Sequence, residues 1–258
     1  MNLKPLLIAA IGACIGVAAL ESYYRYSGGA GGVSRTELHK IIRDYIVANP
    51  EVLQEAMAEF EKRQNVADAE KARDTIKRNE SLIFNSPRQV VTGNKDGDVS
   101  LVEFFDYNCP YCKQAMADLN TLEGSDDKLR IVYKEFPVLG PGSIEAAQVA
   151  VAIRMQDPSG AKYLTYRKAL LSGRGQADKA RAMAVARDIG VDMARLETDL
   201  ASDEIKATLE ENFKLAEQLG LNGTPSYVIG SEVAVGAVGL DKLREKIRAV
   251  RCNATATC

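Results

Sequence analysis

The sequence predicts an α/β fold with elements in the order β-β-α-β, a block of helices, then β-β-α, behind an α-helical N-terminal stalk. Three observations carry that reading. Short runs rich in Val, Ile, Phe and Tyr are bounded by Gly, Pro, Asn and Asp, as strands are. Helical periodicity fills about 141–219, between the third and fourth of those runs. Ahead of the first run, Glu, Lys, Arg, Ala, Leu and Gln dominate. At 258 residues, 46% hydrophobic and 26% charged, the chain can bury a full core. Its net charge of −2 and its lack of a Lys/Arg-rich block argue against nucleic acid as a partner.

Residues 1–26 read as a signal peptide or membrane anchor. A basic start precedes the uncharged run PLLIAAIGACIGVAAL, Pro5 to Leu20. Val17-Ala18-Ala19 offers small residues for cleavage, whereas the tyrosines of ESYYRY suit an uncleaved anchor. Ile11-Gly12-Ala13 before Cys14 adds a lipoprotein reading; otherwise Cys14 is a small residue in a membrane segment. Each reading places the remainder in a periplasmic or other extracytoplasmic space, soluble after cleavage or anchored by this segment alone. Such a space is oxidising, and disulfides persist there.

A glycine-rich linker, SGGAGGV, covers 27–33. The stalk is expected over 34–86. Ser34 with Glu37 is a candidate capping box, and Leu38, Ile41, Ile42, Tyr45 and Ile46 recur at helical spacing. Asn49-Pro50 breaks that helix, and a second begins with Val52, Leu53, Met57 and Phe60 on one face. Beyond Glu61 the apolar stripe is thin, so the segment lacks mass for its own core. Either it associates with other copies through these side chains, making a homo-oligomer, or it folds back on its own domain. The missing apolar mass favours association.

The main domain is expected over 87–250. Arg88–Gly93 and Val99–Tyr107 are strands around the Asp96-Gly97 turn, followed by a helix from Cys112. Leu129–Val138 is continuous in apolar and β-branched residues, as an inner strand is. Helices follow from Ser143, Ala161, Ala177, Met193 and Asp203, the last stopped by Gly220. TPSYVIG and EVAVGAV make two short strands, and LDKLREKIRAV is the closing helix. The tail, 251–258, carries Cys252 and Cys258, candidates for a short structural disulfide, with a second thiol relay as the alternative.

Two cysteines stand between the second strand and its helix, in FFDYNCPYCKQ. Zinc needs four Cys or His ligands; the only histidine, His39, is in the stalk, and Cys252 and Cys258 have the wrong spacing, so no metal site is expected. The same lack of histidine excludes Ser-His-Asp and Cys-His catalysis. A two-residue gap at a helix start favours a redox pair over a purely structural disulfide. Cys109 would meet the unpaired N–H groups at the positive end of the helix, which stabilise a thiolate. Pro110 suits the first turn, where no N–H is needed. Cys112, one turn on, would be buried and able to attack a mixed disulfide at Cys109. Cys109 is then the attacking sulfur and Cys112 the resolving one.

This segment resembles the active site of the thioredoxin superfamily, specifically its DsbA-like branch, over roughly Pro87–Val250. The resemblance implies a thioredoxin fold with a DsbA-type helical insertion. It implies that Thr224-Pro225 forms a cis-proline loop opposite the sulfurs, binding an extended substrate segment, and that Glu103 is the acidic residue beneath them, taking the proton of Cys112. It implies that Pro110 and Tyr111, between the sulfurs, help set the redox poise. The best-known oxidase of that branch has histidine where Tyr111 stands, so strong oxidising power is not expected. Threonine before Pro225 is more typical of isomerase-like members. The stalk together with CPYC looks like the ScsC-type proteins, in which an N-terminal helical segment makes oligomers. The function implied is a protein disulfide oxidoreductase, oxidase or isomerase, acting without a cofactor on cysteine-containing exported proteins. A membrane redox partner would keep it oxidised or reduced. A periplasmic chaperone or binding module without redox turnover is the reading from another class, and a thiol-peroxide reductase is a third.

Overall fold

Local sequence sets the first helices. The computed structural model describes residues 34–254; the N-terminal apolar run with Cys14, the glycine-rich linker and Cys258 lie outside them. Helix α1 (Arg35–Ala48) starts at Ser34, whose hydroxyl accepts the Glu37 N–H at 3.2 Å. It ends at Asn49, whose backbone and side-chain N–H groups both reach the Tyr45 carbonyl. After Pro50, α2 (Glu51–Arg78) begins. Leu38, Ile41, Ile42, Tyr45 and Ile46 share one face of α1, and all are exposed in the single chain.

The chain divides into two compact units, 1–64 and 65–258. Residues 65–86, which the sequence reading gives to the stalk, cluster with the second unit. The end of α2 and a short α3 (Glu80–Phe84) place Ile76 and Ile83 against Val102, Phe104, Val132 and Val228. The Lys134 ammonium, on the sheet, donates to the Leu82 carbonyl at 2.8 Å. Charge along 61–80 hid this docking, because two buried isoleucines suffice to make it.

The second unit is built on β1 (Val90–Gly93), β2 (Val99–Phe105), β3 (Leu129–Glu135), β4 (Ser226–Ile229) and β5 (Glu232–Val235). They form one sheet in the order β1-β3-β2-β4-β5, with β2 and β3 parallel and the other pairs antiparallel. α4 (Pro110–Ser125) makes the crossover from β2 to β3. The block α5 (Pro141–Gln156), α6 (Ala161–Ser172), α7 (Lys179–Asp188), α8 (Met193–Asp199) and α9 (Asp203–Gln218) separates β3 from β4. α10 (Leu240–Ala254) closes the unit. Between β4 and β5, Gly230 turns at φ 57°, where a side chain would be strained and would also strike Val250.

Both sheet faces are covered, which explains why β2 and β3 read as continuous apolar runs. Leu101, Phe105, Ile131 and Tyr133 face α4 to α7 and α10, in the larger core. Val102, Phe104 and Val132 face the smaller one, closed by α3 and by Leu215 and Ala216 of α9. Ile83 is fully buried. Truncating it to alanine is expected to cost about 2–5 kcal/mol and lower the melting temperature of the second unit in a calorimetric scan. An unchanged melting temperature would return 65–86 to the stalk.

Candidate active site

The loop joining β2 to α4 is held by polar groups that sequence reasoning missed. Asp106 is buried and accepts four hydrogen bonds: Asn108 N–H at 2.7 Å, Ser143 hydroxyl at 2.7 Å, Val138 N–H at 2.8 Å and Leu139 N–H at 2.9 Å. The Asn108 side chain donates to the Ala177 carbonyl and accepts the Ala177 N–H, at 2.9 and 2.6 Å. The loop is thus tied to the starts of α5 and α7. A signal was available: Asp106 and Asn108 interrupt an apolar run directly before the cysteines, where a buried polar group needs partners.

Cys109 caps α4, and Pro110 takes its first turn. Cys109 and Cys112 are both free thiols and both buried. The Cys109 thiol is lowered to about 5. The main cause is the Cys112 side chain, which donates to the sulfur; Thr224 and the backbone N–H groups of Cys112 and Tyr111 add to it, against the burial that opposes ionisation. Cys112 is shifted the other way, by burial first, then by the bond to Cys109 and the charge of Glu103. Tyr111 is 61% exposed and leaves the site open on that side. The Thr224–Pro225 peptide is cis, and Pro225 is buried. In the protonated state the Cys109 thiol donates to the Thr224 carbonyl at 3.0 Å. The Pro225 carbonyl is taken by the Gly236 N–H at 2.7 Å. The residues singled out as Cys109, Cys112 and Thr224-Pro225 therefore meet at one point.

Beneath the sulfurs, β2 places Glu103 fully inside. Burial raises its carboxyl above the usual range, and Arg167 opposes that rise. Arg167 comes from α6 and donates to Glu103 Oε2 at 2.5 Å. Its guanidinium lies over the rings of Tyr133 and Phe105, 4.1 and 4.6 Å from their centroids. Glu103 Oε1 has no hydrogen-bond partner. Arg167 was not anticipated, although it shares the buried helical face of Tyr163, Tyr166, Leu170 and Leu171, a position where a charge demands a counter-ion.

The remaining candidates lie apart. Cys252, on α10, is disulfide-bonded; its expected partner Cys258 is outside the described residues. His39 is exposed on α1. Among the described residues no group of three or more His, Cys, Asp or Glu could hold a metal ion, and no helix is long and apolar enough to cross a membrane.

A low-pKa sulfur on a helix end, with a second sulfur buried one turn away, can attack and release disulfides. Residues 100–248 match the family described as DSBA-like thioredoxin domain. Residues 35–67 match the copper resistance protein ScsC N-terminal domain. A thioredoxin-like oxidoreductase from Silicibacter pomeroyi DSS-3 is 40% identical, with a TM-score of 0.63 over 66% of this chain and 96% of that one. The thiol-disulfide exchange protein alpha-DsbA2 from Wolbachia pipientis is 28% identical, with a TM-score of 0.65 over 71% of this chain and 98% of that one. Proteus mirabilis ScsC in a compact conformation is 26% identical, with a TM-score of 0.65 over 86% of this chain and 100% of that one. Among curated relatives, a Na(+)/H(+) antiporter NhaA 1 of Salinispora arenicola is 25% identical over 158 residues, 60% of this chain; the match spans only 24% of that protein's length. The mixed sheet and its helical block are thus the DsbA-like thioredoxin fold, behind a helical segment that matches the ScsC N-terminal domain.

With its thiol lowered from 9.0 to about 5, Cys109 stabilises the folded dithiol form. That contribution is complete above the unfolded thiol's pKa and is lost as pH falls through about 5. The alkylation rate of Cys109 against pH is expected to rise with a midpoint near 5. A midpoint near 9 would remove the activation of Cys109.

Proposed function

The chain belongs to the DSBA-like thioredoxin domain family, whose members are generally disulfide oxidoreductases acting on cysteine-containing substrates, and from that premise we propose that it exchanges disulfides with exported proteins through Cys109 and Cys112. The observation that carries this reading is the asymmetry of the two sulfurs beside the cis-proline loop: one activated by its partner thiol and by the helix end, one buried and held protonated.

In the isomerase direction, the Cys109 thiolate attacks a substrate disulfide and displaces one substrate sulfur as a thiolate. A different substrate thiolate then attacks the substrate sulfur of the mixed disulfide, forming a new substrate bridge, and Cys109 departs as the thiolate it was; no electrons are gained or lost. In the oxidase direction, a substrate thiolate attacks Cys109 in the Cys109–Cys112 disulfide. Cys112 leaves and takes up a proton, and a second substrate thiolate releases Cys109. The substrate loses two electrons and the site gains them. A low-pKa Cys109 is a good leaving group in both directions. The reverse step, attack of Cys112 on a mixed disulfide, needs its proton removed, and the unbonded Oε1 of Glu103 is the acceptor available beneath it. Thr224 and Pro225 position an extended substrate segment, and the exposed Tyr111 borders it.

The isomerase role is favoured by Tyr111 and by the stalk. The exposed face of Leu38, Ile41, Ile42, Tyr45 and Ile46 is the seam through which copies associate, setting several reactive sites around one substrate. The N-terminal apolar run delivers the chain to an extracytoplasmic space, where a membrane partner resets the redox state.

The test is reactivation of a scrambled, multiply disulfide-bonded substrate by the reduced protein. Strong reactivation, abolished by Cys109→Ser, is expected. Rapid disulfide donation by the oxidised protein without reactivation would make it an oxidase. Full cellular function of the Cys109→Ser variant would make it a binding module instead. Ile42→Lys is expected to lower the mass seen in sedimentation; a monomeric wild type would sink the stalk's role.

A further inference from the structure

A second buried carboxylate stands in the same layer as Glu103, between β3 and α6, and the exchange chemistry above makes no use of it. Glu135 Oε1 accepts the Tyr107 hydroxyl at 2.9 Å and the Tyr163 hydroxyl at 2.6 Å, while its Oε2 has no hydrogen-bond partner. Tyr107 is two residues from Cys109, and Tyr163 is one helical turn from Arg167. Burial raises the Glu135 carboxyl to about 8. The charges facing it are few. Arg167 favours its ionisation and Asp106 opposes it. Burial holds Tyr107, Tyr163 and Tyr166 neutral and raises Tyr133, beyond Arg167, as well, so none supplies charge at neutral pH.

One guanidinium therefore serves two enclosed carboxylates. Arg167 is bonded to Glu103 and attracts Glu135, with its own Nε unpartnered. Ionising both carboxylates leaves these three groups with one negative charge in excess, beside the Asp106 carboxylate, before either sulfur ionises. A Cys109 thiolate adds another, and its charge is already felt at Glu103.

We infer that Glu135 is a positioning residue of the exchange site: once ionised it shares Arg167 with Glu103 and disfavours negative charge at the sulfurs, so its protonation shifts the balance between dithiol and disulfide. The inference rests on the exchange reading. Two glutathione thiols reduce the Cys109–Cys112 disulfide by breaking its S–S bond and forming glutathione disulfide. Cys109 is left as thiolate and Cys112 as thiol, and one proton is released. Where Glu135 was ionised beforehand, that proton goes to Glu135 instead of solvent.

The experiment is equilibration with glutathione redox buffers from pH 6 to pH 9, reading the dithiol fraction by alkylation in wild type and Glu135→Gln. The two equilibrium constants are expected to agree at pH 6. By pH 9 the wild type should favour the disulfide by roughly threefold or more relative to the variant, as a nearby buried charge demands. A ratio constant over the whole range overturns the inference. Tyr163→Phe removes a donor that favours the carboxylate, so the departure should move to higher pH. If Glu135→Gln does not fold, this shift decides, and a profile unchanged from wild type overturns the inference. A wild type that never equilibrates with glutathione removes the exchange reading, and the inference with it; a wild type that equilibrates beside a parallel variant removes the inference alone.

Discussion

Glu103 and Arg167 form an ion pair in a layer closed to water, and a pair so placed must be complete to be tolerated. Removing one partner leaves an uncompensated charge, at about 3–5 kcal/mol. The carboxylate comes from the middle strand and the guanidinium from the helical block, so the pair registers α6 on the sheet. The rings of Tyr133 and Phe105 complete the enclosure on the guanidinium's faces. Aromatic packing then spreads outward, with Phe105 on Tyr107 and Tyr107 on Tyr166 in edge-to-face contacts at 5.1 and 5.6 Å. The ground beneath the sulfurs is thereby rigid as well as charged.

Above that layer, the asymmetry of the two thiols follows from where the backbone puts them. Cys109 has the Cys112 thiol as donor and the open N–H groups of a helix end; Cys112 is buried, with its neighbour, the Asp106 backbone and a carboxylate below. The same helix that stabilises one sulfur buries the other. Asp106 matters for a different reason. Its side chain gathers four donors from three segments and so holds the turn in which Cys109 is presented.

Much of this was legible in the residues. The element order of the second unit followed from runs of β-branched residues and from helical spacing, because each element buries enough of one face to leave a period behind. CxxC between a strand and a helix located the sulfurs, and the family resemblance located Glu103 and the cis peptide at Pro225. Three things were not legible, for one reason: they are made by residues far apart in sequence. Arg167 meets Glu103 across 64 positions, Glu135 meets Tyr163 across 28, and Asp106 meets Ser143 across 37. The trace each left was a charge inside a largely apolar stretch. The burial of Ile76 was hidden by the charged residues around it, and Ile83 sits in a run too short to leave a period.

The counter-ion for the carboxylate beneath the redox pair is carried by the inserted helices, not by the strands and helices that surround the cysteines. The insertion is thus not an interchangeable module. A chimera that replaced 141–219 with a helical block from another protein would keep both cysteines, the cis-proline loop and Glu103, yet leave that carboxylate without its cation. Such a hybrid would need either a basic residue at the place of Arg167 or an uncharged one at the place of Glu103. In this architecture the two positions can change only together, and a lineage that altered one would have to pass through a state with an unpaired charge under its reactive sulfurs.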